Sequence, residues 1–145
     1  MNEKITAVLA GLILLMGCSG TRPDLGLNNG GLNPCPESPN CVNSQAADEQ
    51  HFIEPIHFTG TRQEVHARLL QVLDSEKRTN ILTAEKNYIR VEFTSAVFRF
   101  VDDVEFYFPE DQGGETIIHV RSASRIGHSD LGVNRKRTER IRNKF

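Results

Sequence analysis

The stretch NYIRVEFTSAVFRFVDDVEFYF, Asn87 to Phe108, decides the fold, because its apolar residues recur at every second position. Ile89, Val91 and Phe93 alternate with Tyr88, Arg90, Glu92 and Thr94; Phe98 and Phe100 flank Arg99; Val104, Phe106 and Phe108 alternate with Glu105 and Tyr107. Successive side chains of a strand point to opposite faces, so a period of two predicts strands with one packed and one polar face. Ile118 and Val120, alternating with His119 and Arg121, carry the pattern toward Ser124, and Pro109 to Gly114 reads as a hairpin loop. Such alternation belongs to an antiparallel sheet, since parallel strands are apolar on both faces.

On either side the period changes. Thr61-Arg62-Gln63-Glu64 fits a capping box, in which hydroxyl and carboxylate satisfy opposite backbone donors. Val65, Leu69, Val72 and Leu73 follow at helical spacing, predicting a helix from about 62 to 77 that Asn80 closes. HFIEPIHF, His51 to Phe58, reads as an extended lead-in strand interrupted by Pro55. A last helix is expected from Asp130 or Leu131 to Asn143, with a thin apolar stripe of Leu131, Ile141 and Phe145 helped by Thr138. The expected class is α+β, a single antiparallel sheet with helices packed on one face.

The first residues address the chain to a membrane. Ile5 to Met16 is an apolar run of twelve behind Lys4, shorter than the roughly 20 residues that span a bilayer. Leu15-Met16-Gly17-Cys18 resembles the bacterial lipobox, which implies acylation of Cys18; a plain signal peptide or an uncleaved anchor is the alternative. Several acyl chains on one residue anchor stably where a single chain does not. Ser19 after the Cys favours the outer membrane, periplasmic face, with the inner membrane as the alternative. The division that follows is a lipoprotein signal peptide over 1–17, a lipid-anchored flexible tether rich in Gly and Asn over 18–34, and a single α+β domain over 35–145.

An exported chain meets an oxidising compartment, so Cys35 and Cys41 of CPESPNC read as a structural disulfide. A redox or metal role is the alternative; the chain has no CxxC, HExxH or HxxxH spacing, and neither a metal nor a cofactor is expected.

Charge is unevenly spread within a net −2. Residues 121–145 hold eight Lys/Arg against two Asp/Glu, whereas 18–120 hold eight against sixteen. A basic tail on an acidic body favours mutual attraction or an anionic partner. Arg90, Arg99, His119 and Arg121 share the polar sheet face by parity with Glu92, Glu105 and Tyr107. This is either a solvated face with cross-strand ion pairs or the floor of a site for an anionic or zwitterionic molecule.

VRSASRIGHSDLGVNRKR, Val120 to Arg137, concentrates the candidates. His128-Ser129-Asp130 is no triad, since three consecutive residues do not place an imidazole between hydroxyl and carboxylate. Ser129 or Asp130 instead suits an N-cap. Exposed backbone N–H groups there, flanked by Arg121, Arg125 and Arg135, would form an anion pocket; alternatively Asp130 is itself the anion and pairs with one of these arginines. Asp102 and Asp103 are expected to support the site by pairing with Arg125 or Arg121. Nucleic acid is not an expected partner, because the compartment argues against it and no aromatics interleave the basic residues.

CPESPNCV (Cys35 to Val42), FRFVDDVEF (Phe98 to Phe106) and RSASRIGHSDLGVNRKR (Arg121 to Arg137) together resemble domain-of-unknown-function family 1499, found in bacterial envelope and plant chloroplast proteins. The resemblance runs from Leu32 to Phe145 and brings no activity with it. It implies that the Cys loop, Asp102-Asp103 and the Arg-rich segment belong to one module, with the acidic pair facing the Arg-rich turn. The functional expectation is a non-enzymatic binding module on a lipid anchor, its partner an anionic small molecule, a lipid headgroup or an envelope protein. The alternatives are an envelope scaffold subunit, or a hydrolase using Asp102 or Asp103 with His119 or His128.

Overall fold

The computed structural model of the chain describes residues 19–110 and 115–145, and among these residues it forms six antiparallel strands and two helices. The stretch read as a signal peptide, Cys18 and the tip of the loop expected after Pro109 lie outside the described residues. The elements are β1 (Cys41–Asn43), β2 (Ile56–Thr59), α1 (Arg62–Asp74), β3 (Thr79–Glu85), β4 (Tyr88–Thr94), β5 (Val101–Tyr107), β6 (Glu115–Ser124) and α2 (Val133–Arg142). From β3 to β6 each strand pairs with the next, as short connections favour. The far edge of β6 pairs with β2 along its first half and with β1 along its second.

Parity sorts the sheet into two faces. Ile89, Val91, Phe93, Val104, Phe106, Ile118 and Val120 form one buried cluster with Val65, Leu69, Val72 and Leu73 of α1 and Ile141 of α2. Removing such a side chain from water stabilises by roughly 1.5–3 kcal/mol. Helix α1 begins at the expected capping box: Thr61 accepts from Glu64 N, while Glu64 Oε2 accepts from Thr61 N at 2.8 Å. It ends at Ser75, earlier than expected, because Arg78 takes a left-handed φ of 58° and Thr79 is already paired with Phe93.

Three expectations are corrected. Phe98, Arg99 and Phe100 are not strand residues. Ser95 N donates to Phe100 O and Phe100 N to Ser95 Oγ, closing a turn in which Arg99 has φ 58°. The run V-F-R-F alternates like a strand, but the chain must reverse between the paired residues Thr94 and Val101. Leu131 does not join the stripe of α2, since the helix starts at Val133 and Leu131 is 86% exposed. The buried side of α2 is instead Asn134, Arg137, Thr138 and Ile141, three of them polar.

The third correction concerns the polar face, which is not solvated. Arg90, Glu92, Asp103, Glu105 and Arg121 are all buried. Residues 19–34, expected as a free tether, lie across this face. Arg22 Nε donates to Glu92 Oε1 (2.9 Å), Arg90 Nη2 donates to Pro23 O (3.0 Å), and Leu32 is buried. Gly20 is the point of closest approach: with φ 69°, a Cβ there would stand 2.8 Å from Arg125 Cβ and 2.9 Å from Ile126 Cγ2. The segment is a strap, held by ionic and carbonyl contacts that composition alone does not reveal.

Candidate functional site

Beneath the strap, the register of β4, β5 and β6 sets charged residues opposite one another. Arg90 faces Glu105, Glu92 faces Asp103, and Glu105 faces Arg121. Burying a charge is costly unless it is paired and hydrogen-bonded, and here nearly every group is. Asp103 Oδ1 accepts from Arg90 Nη2 (2.8 Å) and Arg125 Nη2 (2.9 Å), and Asp103 Oδ2 from Arg125 Nε (2.7 Å). Arg125 also reaches Glu92. Glu105 accepts from Tyr88 Oη (2.7 Å) and from Arg121 Nη1 (3.1 Å).

The proton affinities follow from these contacts. Burial alone would raise the Glu92 carboxyl, but hydrogen bonds from Arg125, Arg22 and Asn80 outweigh it and bring it down to about 2. The Asp103 carboxylate, against some cost of burial and with help from Glu92, holds Arg125 protonated well beyond its ordinary range. Burial first, then Glu105, pushes the Tyr88 phenol far up, so it remains a donor. His119 is pushed down by burial and by His57, and its Nδ1 lies 3.1 Å from Ser44 Oγ.

One donor in this network is left over. The Arg121 side chain is only 9% exposed, and its Nε is buried without a hydrogen-bond partner. Arg121 and Arg125 line a cavity of about 170 Å³ walled by Thr21, Pro23 and Leu25 of the strap, Pro36 of the Cys loop, and Asp103. The Cys loop is fixed there because Cys35 and Cys41 are disulfide-bonded, Cα to Cα 5.7 Å, and Cys41 pairs with Ala123 of β6.

Not all of the expected site assembles. Arg135 lies away from it on α2 and donates to Gln50 O (3.2 Å). Asp102 and Asp103, expected to face the Arg-rich turn together, occupy opposite faces, because adjacent strand residues must. Asp102 pairs with Arg137 of α2 beneath Phe93, whose ring centroid lies 4.8 Å from the guanidinium carbon. Asp130 does not pair with an arginine. It caps α2 from just outside the helix, Oδ2 accepting from Asn134 N (2.7 Å) and Oδ1 from Gly132 N (3.0 Å), while Ser129 Oγ accepts only from Leu131 N.

Sequence reasoning missed Asn134, Arg137 and Asn40. Asn134 Nδ2 donates to Asn40 O (3.0 Å) and Ser124 Oγ (2.9 Å), and its Oδ1 accepts from Ser122 Oγ (2.6 Å) and Arg137 Nη1 (2.6 Å). The spacing 134, 137, 138, 141 is helical and was there to be read, but only by including polar residues in the buried stripe. Among the described residues, no group of three His, Cys, Asp or Glu side chains is placed to hold a metal ion.

The architecture defines a mostly-β domain whose sheet is closed on its polar face by its own N-terminal segment. The chain belongs to the family described as protein of unknown function, DUF1499, whose model matches residues 31–145. No curated protein matches it.

Proposed function

We propose that the chain is a lipoprotein held by acyl groups on Cys18 at the periplasmic face of the outer membrane, and that its folded part is a non-enzymatic binding module for a small anion. Both helices cover the apolar face of the sheet in this reading, which leaves the opposite face to the strap and a ligand. The observation that carries it is Arg121: a buried N–H without a partner costs about 1–3 kcal/mol, and this one belongs to a cation lining a cavity. At about 170 Å³, that space falls below the roughly 300–1,000 Å³ of drug-sized ligand sites. A carboxylate or phosphate-sized group suits it. Arg125 contributes less, because Asp103 and Glu92 already engage it.

Thermal unfolding with phosphate, sulfate, acetate and glycerol phosphate tests this. A ligand that binds only the folded chain raises Tm with concentration, and at least one of these anions should do so. Arg121→Lys keeps a cation for Glu105 but removes Nε, and should abolish the rise. Unchanged Tm with every anion, or a rise that survives Arg121→Lys, would contradict the proposal and favour the scaffold alternative, in which the arginines only brace the sheet. The hydrolase alternative has less support, since Asp102 and Asp103 lie on opposite faces and each is held by arginine.

A further inference from the structure

One end of the sheet gathers features that the cavity does not use. The β4–β5 turn, 95–100, projects from the end at which Thr94 pairs with Val101. Val97 is 78% and Phe98 69% exposed, and the Phe98 and Phe100 rings stack with centroids 5.4 Å apart. Strand β6 finishes at the same end, because Ser124 pairs with Asp102 and Arg125 N donates to Val101 O. The turn it enters carries Leu131, and Val133 opens the helix beyond. Six large apolar residues are exposed among the described residues, and all but Ile81 fall in these two turns or at that first helical position. Scattered apolar residues need no explanation, but contiguous ones mark a contact surface.

The chain itself indicates what lies opposite. Gly20 packs on Arg125 and Ile126, so the strap begins at this same end, with Gly20 two residues after Cys18 and four after the apolar run of 5–16. Lys77, Arg78 and Arg99 are exposed here too; the acidic residues nearest Arg78 in sequence are Glu76, which Arg140 and Lys144 already engage, and then Asp74. Arg78 is fixed at the sheet end by Nε donating to Thr94 O (3.0 Å). Aromatic side chains ringed by cations suit the interfacial zone of a bilayer bearing anionic headgroups.

We propose that this end of the domain, with Val97, Phe98 and Phe100 at its tip and Lys77, Arg78 and Arg99 around it, docks into the surface of the anionic membrane that anchors the N-terminus. The proposal rests on the membrane-anchored reading. It makes the domain lie on the lipid in one orientation, sheet end down, with the β3–β4 turn about 20 Å away at the far end of seven-residue strands.

The chain contains no Trp, so a single introduced indole reports its own surroundings. Full-length Phe98→Trp and, separately, Lys86→Trp are reconstituted into vesicles of phosphatidylglycerol and phosphatidylethanolamine, with and without brominated acyl chains. Both sites are exposed, Lys86 in the β3–β4 turn. The expected result is a blue-shifted emission for Phe98→Trp and quenching by the brominated lipid several-fold stronger than for Lys86→Trp. Water-like emission from Phe98→Trp, or equal quenching at the two sites, overturns the proposal and points to a protein partner or none. Intact mass of the same preparations reads acylation at Cys18 independently, so a failed anchor and a failed docking surface are told apart.

Discussion

Glu92 shows how a single carboxylate holds the buried face together. It accepts from Arg22 of the strap and from Arg125 and Asn80 of the domain, so three segments meet on one side chain. Its folded value near 2 lies below its ordinary 4.5, so proton uptake favours the unfolded chain. The stability it contributes is complete above pH 4.5 and is lost as the pH falls toward 2. Urea midpoints measured across that window should fall steeply for the native sequence and less steeply for Glu92→Gln; parallel curves would contradict the assignment. At this scale much was legible. The parity of Arg90, Glu92, Glu105 and Arg121 was read correctly; of the pairings expected between Asp102 or Asp103 and Arg125 or Arg121, the one that forms is Asp103 with Arg125, while Asp102 pairs with Arg137. What parity could not supply was the burial of these groups, since a polar face covered by a strap and one open to water have the same sequence pattern.

Helix α2 shows why elements were easier to place than to pack. Its existence followed from the capping chemistry after Gly127 and its approximate end from Asn143. Its docking followed only in part: Thr138 and Ile141 of the expected stripe are buried, but Asn134 and Arg137 complete the contact in place of Leu131. Arg137 engages Asp102, Ser122 and Asn134 at once. Removing one partner of a buried ion pair typically costs about 3–5 kcal/mol, because the other charge is left uncompensated. Arg137→Ala should lose stability on that order in urea unfolding, and the double variant with Asp102→Ala should lose less than the sum of the two single changes. A loss below about 1 kcal/mol, the range of an exposed pair, would mean that Arg137 contributes little and that α2 is held by Asn134 and Ile141 instead. The β4–β5 turn is the opposite case. Its alternation was read as a strand, and only the register between Thr94 and Val101 shows that these residues reverse the chain.

Across the whole molecule, the charge asymmetry of the sequence resolves into internal pairing. Of the eight basic residues after position 120, Arg121, Arg125, Arg137, Arg140 and Lys144 pair with Glu76, Glu92, Asp102, Asp103 or Glu105. The basic tail therefore serves mainly to close the acidic body; within that buried network the Arg121 Nε is the donor without a partner, and the binding proposal depends on it. The strap completes this closure and forms one wall of the cavity, so its attachment is the central claim. The most direct measurement compares the urea midpoint of a soluble chain beginning at Ser19 with that of one beginning at Gly31, where the family match also begins. Losing the bond from Arg90 to Pro23 O, a hydrogen bond to a charged group, should lower stability by about 2 kcal/mol, with a lower midpoint. Identical midpoints would show that residues 19–30 are a free tether, and would contradict both the strap and the cavity it walls.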